Sequence, residues 1–522
     1  MTAGAQPFPS AGVPTVTARP RVEYLLFGAP VIALAVIALL PGLLAPSLDA
    51  AVFSVIGDRL SIGQLPYVQV FDHKPPGMYF LIAGGQLLSG TLGAWKVSWI
   101  LSVASVALTG TLVADTLRAL GWRRLGWATG ALCVAELASF PLALGGGLGE
   151  TVAVFPAVAA VRIGLIGSSR IRTWLAAGAL AAVAAAISLQ AAPAFVALVV
   201  AATLRGDHAA RLKATFWILC GGILVWAGLV IGLGTMGATG AALQAIIGYN
   251  RAYAGLASYD SPIAGEALHA FLVLSPLAVL AAAGMHSLMT QPRRAALAAA
   301  AVTWIAVSVL LIVLQGRLEL HYTTLLVPPL ALLAPAGLDH LRIRGTFPHL
   351  ARSAVIAAFL VAAFGVSGLL SAAETTMAMQ ARSGQAARSH AVASWVDNKV
   401  PASAHIFVWG NVPEIYLDSH RPAASPYVYL LPLTTPGFTS QRLIEQVLSD
   451  WRASPPEVIV DAGSAQPGAA GLPPLLIERR TLPIDGRNAD LLNPLRDFVR
   501  DRYRLATNVD GWPVYLLNTP IS

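Results

Sequence analysis

Residues 25–45, LLFGAPVIALAVIALLPGLLA, and residues 48–77, LDAAVFSVIGDRLSIGQLPYVQVFDHKPPG, decide how this chain is read. The first is uncharged and long enough to cross a hydrocarbon core of about 30 Å. The second carries Asp49, Asp58, Arg59, Asp72, His73 and Lys74, in a chain that is 56% hydrophobic and only 11% charged. Ionisable groups crowded at the mouth of a membrane segment are costly to keep there without a use.

Outward from this stretch the chain is a succession of apolar segments. Spans are expected near 25–45, 94–116, 124–142, 150–167, 174–189, 190–204, 214–237, 265–288, 295–314, 321–338 and 353–372. That makes about eleven spans and an α-helical polytopic membrane protein. Residues 174–204 are read as a hairpin turning near Gln190 and Pro193. With that hairpin, fifteen Lys/Arg fall on one side of the membrane and five (Arg59, Lys74, Lys96, Arg251, Arg317) on the other. Cations accumulate on the cytoplasmic side. The polar, Pro-rich residues 1–22 are therefore expected to be a disordered cytoplasmic tail of a multi-pass inner or plasma membrane protein. The first loop, 46–93, and residues 373–522 are expected outside the cytoplasm. Residues 77–90, GMYFLIAGGQLLSG, are short for a span and suit an interfacial or re-entrant helix. The loops at 143–149, 238–264 and 315–320 are expected to converge with it on one rim.

The formal net charge of +8 does not point to nucleic acid. The first 372 residues hold 21 Lys/Arg against 12 Asp/Glu, and the remainder 13 against 14. The excess belongs to the membrane part, where it sets topology. Cys133 and Cys220 lie inside apolar segments, so no disulfide framework is expected. No Cys/His spacing suggests a metal, and no cofactor is expected, with a divalent cation left open. After residue 372 the character changes. AHIFVWG (404–410) and PEVIVDAG (457–463) look like buried strands, 440–451 and 492–503 have helical spacing, and 503–518 reads as a hairpin around Asp510-Gly511. Alternating strands and helices indicate a C-terminal α/β domain. The loop 464–475 is an insertion.

Asp49 sits at the end of the first span, where partial desolvation raises the basicity of a carboxylate and suits a general base. The competing role is an N-cap for a 50–60 helix, shared with Ser47. Lys74 precedes Pro75-Pro76, which start a helix with free N–H groups. Ammonium and helix N-terminus together make an anion site, and a lipid phosphate is its natural ligand. The competing role is a snorkelling interfacial lysine. Asp72 and His73 either orient Lys74 or contact substrate. Asp58 and Arg59 read as the wet face of the 50–60 helix. Glu150, after the glycine run, offers a second carboxylate on the rim, or a favourable acid in a helix first turn. Glu136 and Arg162 lie at similar depth inside spans and are expected to pair. Arg317, Glu319, His321 and Tyr322 cluster at the start of the tenth span, where a cation would neutralise phosphate. Tyr249, Asn250, Arg251, Tyr253, Tyr259 and Asp260 interleave aromatic and polar groups, a mixture that suits a saccharide or a membrane interface.

PY…FDHKPPG after an acid at the end of the first span resembles the polyprenyl-phosphate-sugar-dependent GT-C glycosyltransferases. The family-39-like branch, with protein O-mannosyltransferases and the aminoarabinose transferase of lipid A, is the nearest in character. GRLELHY before the PPLALL span, and VWGNVPEIYLDSHRPAASPYVY (408–429), are similar to that branch too. The resemblance implies transfer of a sugar from a polyprenyl phosphate to a hydroxyl on a cell-envelope glycan, lipid or protein, outside the cytoplasm. Asp49 takes the place of the catalytic acid and Lys74 that of the phosphate-contacting lysine. The chain departs from the O-mannosyltransferase Asp-Glu pair, since Ala50 follows Asp49. The rival class is a transporter or flippase of a lipid-linked sugar. A third is a receptor working through the C-terminal domain, with Trp409, Tyr416 and Tyr427 as candidate glycan contacts.

Overall fold

The computed structural model describes residues 20–205, 207–254, 263–289, 292–315, 318–341, 347–463, 475–476 and 491–518. Helices dominate from Pro20 to Lys399. Among the described residues, seven helices are long and apolar enough to cross a membrane, beginning at Leu26, Ala94, Gly149, His208, Gly265, Arg294 and Ala358. The spans expected at 124–142, 174–189, 190–204 and 321–338 correspond to shorter helices, at Arg123–Leu137, Ile171–Ile187, Pro193–Thr203 and Val327–Leu341. Leu219, Ile223, Val230, Leu310 and Val361 remain exposed on the bundle, the surface that lipid tails require. Inside, small residues let helices approach: Ile171–Ile187 buries Ala177, Gly178, Ala181, Ala184 and Ala185.

The 174–204 hairpin is present, and its geometry matters for the site. Ser188 Oγ donates to Glu150 Oε1 (3.0 Å) at the start of the Gly149–Ile166 helix. Arg205 donates to the carbonyls of Gly164 (2.8 Å) and Gly167 (2.7 Å) at that helix's far end. The chain therefore turns at 188–192 and returns the length of its neighbour.

Phe347–Lys399 is a single helix of 53 residues. At 1.5 Å per residue it is roughly 80 Å long, well beyond a bilayer core. It leads directly to the C-terminal domain, so the expected boundary at 372/373 falls inside one continuous helix. That domain holds a four-stranded sheet of β1 (Ile406–Trp409), β2 (Val458–Asp461), β3 (Tyr503–Val509) and β4 (Trp512–Leu517), in the order β1-β2-β4-β3. β1 and β2 are parallel, and the other pairs antiparallel. Asp510 and Gly511 both have positive φ (48° and 91°), as a tight hairpin turn demands. The Gln441–Ala453 helix covers the sheet with Ile444, Val447, Leu448 and Trp451, an i, i+3, i+4, i+7 stripe. Most of the 464–475 insertion lies outside the described residues.

Two pairings differ from expectation. Arg162 bonds Asp115 (Nε to Oδ2, 3.1 Å), not Glu136. The Ala94–Ala119 helix, which carries Asp115, packs against both the Arg123–Leu137 and Gly149–Ile166 helices and stands between them. Arg59 does not share a wet face with Asp58, which stays half-exposed and accepts from Gln86 Nε2 at 3.0 Å. Arg59 is buried (7% exposed) because the C-terminal domain sits on it, and its Nη2 donates to the Arg421 carbonyl at 2.5 Å.

Candidate active site

Ser47 caps the Leu48–Ser61 helix, its Oγ accepting from Ala50 N at 3.3 Å. Asp49 is thereby released from capping and stands in the first turn. Its Oδ2 meets Lys74 Nζ at 2.7 Å and lies 3.7 Å from His321 Nε2. Lys74 arrives from the same loop, just before the Gly77–Ser89 helix. Its ammonium lies 4.6 Å over the Phe53 ring, and its carbonyl accepts from the hydroxyls of Tyr67 (2.8 Å) and Tyr79 (3.2 Å). Tyr67 holds a φ of 65°, rare outside glycine, and its turn is closed by Tyr67 N donating to Val70 O at 2.7 Å.

The helix after Lys-Pro-Pro is Gly77–Ser89, as the prolines predict. Gly77 allows it to seat against the Ile171–Ile187 helix: a Cβ there would stand 2.5 Å from the Ala186 carbonyl oxygen. Across the site, the run Leu144 to Gly147 takes positive φ throughout. A Cβ on Gly147 would lie 2.6 Å from the Ala50 Cβ, so only glycine lets this strand of chain pass the Asp49 helix. The run delivers Glu150 to the rim.

A pocket of about 150 Å³ opens here. Lys74, His73 and Phe53 line it from the first loop, and Glu150 from the start of its helix. Ser188, Leu189 and Gln190 enter from the hairpin turn, Asn250 and Tyr253 from the 238–264 region, Gln315 from the 315–320 region and Tyr322 from the Leu320–Leu326 turn after it. The three loops expected to converge thus each supply residues to this pocket, through Gly149, Asn250 with Tyr253, and Gln315, while Gly77–Ser89 does not line it. Glu150 is 2% exposed; its Oε1 accepts from Ser188, while its Oε2 is buried without a hydrogen-bond partner. Gln190 Nε2 reaches Gln315 Oε1 at 3.4 Å. Ser188, Gln190 and Gln315 are not among the site residues expected from sequence, where Gln190 marks only the hairpin turn. Their signal there is uncharged polarity at the ends of apolar segments.

Electrostatics revise one expectation. Burial pushes the Asp49 carboxyl up, but the Lys74 ammonium and then His321 pull it further down, leaving it below the usual carboxylate range. In this arrangement Asp49 is therefore not a raised-pKa base. Lys74 itself is held above the usual lysine range, burial being outweighed by Asp49 and then Glu150.

His321 is 8% exposed, and its Nε2, facing Asp49, makes no hydrogen bond. His73 lines the pocket with its ring 4.7 Å from that of Tyr249. Tyr249 is fully buried behind it, its hydroxyl 3.1 Å from Thr435 Oγ1, and does not line the pocket. Arg251 is exposed and does not line it either, because helical spacing turns Asn250 and Tyr253 inward instead. Asp72 is 2% exposed, one residue outside the pocket wall. Arg317, Tyr259 and Asp260 lie outside the described residues. Trp409 (0% exposed) and Tyr416 (2%) fill the C-terminal core, and Tyr427 (9%) packs on Phe71, so none presents a face to a glycan.

No protein-family model and no curated protein matches the sequence. Solved structures do match its shape. ArnT from Cupriavidus metallidurans bound to undecaprenyl phosphate superimposes with a TM-score of 0.56 at 13% identity, over 95% of this chain and 98% of that one. The apo state of the same protein gives 0.52 at 12% identity, with the same coverage. The archaeal oligosaccharyltransferase AglB from Archaeoglobus fulgidus, in complex with an inhibitory peptide and a dolichol-phosphate, gives 0.51 at 11% identity, over 85% of this chain and 70% of that one. The chain shares its fold with these two proteins; in it, a helical bundle with helices long and apolar enough to cross a membrane is followed by a small C-terminal domain with a mixed sheet.

Proposed function

We propose that this protein is a membrane glycosyltransferase that moves a sugar from a polyprenyl-phosphate donor to an acceptor hydroxyl on the extracytoplasmic side. The observation that carries the proposal is the Asp49–Lys74 ion pair at a pocket walled by Glu150, Tyr322 and the Ser188–Gln190 turn. The shared fold with proteins whose structures hold undecaprenyl phosphate and a dolichol-phosphate supports the choice of lipid.

In this mechanism the donor phosphate binds at Lys74 and draws its ammonium away from Asp49. Lys74 is the strongest influence holding the Asp49 carboxyl down. Once it is engaged elsewhere, burial raises the basicity of Asp49 as the acceptor arrives. The acceptor oxygen attacks the anomeric carbon and its proton passes to Asp49. The bond from the anomeric carbon to the phosphate oxygen breaks, and its electron pair leaves with the lipid phosphate. The charge gained by that leaving group is what Lys74 stabilises in the transition state. Glu150 Oε2 accepts from a sugar hydroxyl. No step needs a metal or cofactor.

The test is product analysis with purified protein in nanodiscs, a panel of polyprenyl-phosphate sugars and cell-envelope extract as acceptor source. Wild type is expected to form a glycosylated product and free polyprenyl phosphate. Asp49→Asn is expected to be slower by about 10²–10⁴. A folded Asp49→Asn protein with unchanged rate would remove Asp49 from the mechanism. Movement of the lipid-linked sugar across vesicles with no covalent product would replace the enzyme with a transporter.

A further inference from the structure

Asp72 is the most heavily hydrogen-bonded carboxylate near the pocket, yet it does not face it. Its Oδ1 accepts from Tyr429 OH (2.9 Å) and from the His73 amide (2.8 Å), and lies 3.0 Å from His73 Nδ1. Its Oδ2 accepts from Tyr79 OH at 2.6 Å. Tyr79 belongs to the helix that follows Lys-Pro-Pro, and Tyr429 to the C-terminal domain, 357 residues along the chain. Two residues on, the Lys74 carbonyl is held by Tyr67 and again by Tyr79. The backbone from which the Lys74 side chain departs is thus tied on both sides.

We propose that Tyr429 is a positioning residue for Lys74, acting through Asp72, so that the C-terminal domain completes the donor-phosphate site. The proposal rests on the reading of Lys74 as the phosphate holder. Tyr429 is 3% exposed, and its hydroxyl also lies 3.3 Å from His73 Nδ1. It does not itself line the pocket, and its hydroxyl reaches the lining through His73. The junction between loop and C-terminal domain has other supports: Phe71 N donates to Pro426 O at 2.8 Å, and the Phe71 and Tyr427 rings lie 5.2 Å apart. Loss of the Tyr429 hydroxyl alone therefore leaves the junction standing and frees one Asp72 oxygen from its remote anchor. A hydrogen bond to a buried charge is a strong one. Its removal loosens the Asp72–Lys74 segment before it loosens anything else.

The experiment compares full-length wild type, Tyr429→Phe and Tyr427→Phe in nanodiscs. Hydrogen exchange of the 67–79 segment, without lipid, is expected to rise about tenfold in Tyr429→Phe and to stay at the wild-type rate in Tyr427→Phe. Exchange in β1 and β2 is expected to be unchanged in both. Affinity for polyprenyl phosphate alone is expected to fall about tenfold in Tyr429→Phe at an unaltered unfolding midpoint. Unchanged exchange in 67–79, or an equal rise in β1 and β2, overturns the proposal. A wild type that does not bind polyprenyl phosphate overturns the donor-site reading, while the exchange comparison still decides whether Tyr429 fixes the lysine.

Discussion

Lys74 Nζ lies 2.7 Å from Asp49 Oδ2, so the proposed phosphate holder and the proposed base neutralise one another in the free protein. The pair joins the start of the first loop to its Lys-Pro-Pro stretch, and His321 Nε2 lies 3.7 Å from the same carboxylate oxygen. Each partner sets the other's ionisation. That coupling lets donor binding activate the base, and it makes substitutions at either residue informative about the other.

Replacing Lys74 by Gln should move the pH dependence as well as the rate. Without the ammonium, burial is the leading influence on Asp49 and its pKa rises. A rate that needs ionised Asp49 then has its acid limb displaced to higher pH. Turnover at neutral pH should drop by about 10²–10³ through lost leaving-group stabilisation. The check is the pH profile of kcat/KM for wild type and Lys74→Gln. An acid limb at the same pH in both would show that Lys74 does not control Asp49.

Asp49→Asn should bind the lipid phosphate more tightly while transferring sugar far more slowly. The substitution removes the carboxylate that competes with phosphate for the Lys74 ammonium. A charge-assisted contact of this kind is worth about 1.5–3 kcal/mol, so affinity for polyprenyl phosphate should rise by about tenfold or more. Titration of the variant with polyprenyl phosphate measures this directly. Weaker binding than wild type would mean that phosphate does not compete with Asp49.

How far the site could be read from sequence follows from which forces are local. Ser47 as a cap, Pro75-Pro76 as a helix start and Asp510-Gly511 as a turn act over a few residues, and the structure places each element where they indicate. The hairpin at 174–204 is fixed by charge distribution between loops, a long-range signal that composition alone still carries. Partner choice is not carried in this way. Depth along a span places Arg162 level with Glu136, yet its partner Asp115 is set by which helix lies between them. Arg59 is hydrophilic in sequence and buried in fact, because a domain from the far end of the chain covers it. Ser188, Gln190 and Gln315 join the pocket only once the hairpin turn and the tenth-span entry meet, a contact over 125 residues.

Glu150→Gln should separate sugar recognition from phosphate binding. Glu150 Oε1 is occupied by Ser188, and its Oε2 is buried beside the pocket with no partner. An amide keeps the shape and one acceptor but presents a donor where the carboxylate presents an oxygen. The cost of mispairing a buried hydroxyl is about 1–3 kcal/mol, or roughly 10–100-fold in kcat/KM for the sugar donor. Affinity for polyprenyl phosphate lacking the sugar should change less than threefold. Parallel titrations with the glycosylated and bare lipid check this, and equal losses on both would remove Glu150 from sugar recognition.

Glu414 gives the C-terminal domain a pH-dependent stability of the opposite sign to that of Asp49. It is 8% exposed and hydrogen-bonded by Gln385; burial lifts its carboxyl from 4.5 to about 7, with that bond and Arg382 offsetting only part. The folded protein therefore keeps a proton that the unfolded chain releases between these values. Stability falls as pH rises through this window, and the whole penalty, about 3 kcal/mol, is present above the folded pKa. Below the unfolded pKa the penalty vanishes, because both states are protonated. Glu414→Gln mimics the protonated form and does not titrate. Its unfolding midpoint should exceed that of wild type at about pH 8 and approach it at about pH 5, since near pH 5 most of the linkage is absent. Asp461 is also raised, to about 6, but it titrates alike in both proteins and cancels in the difference. Thermal unfolding of both full-length proteins at the two pH values provides the measurement. A gap that did not widen with pH would mean that Glu414 ionises freely in the folded domain.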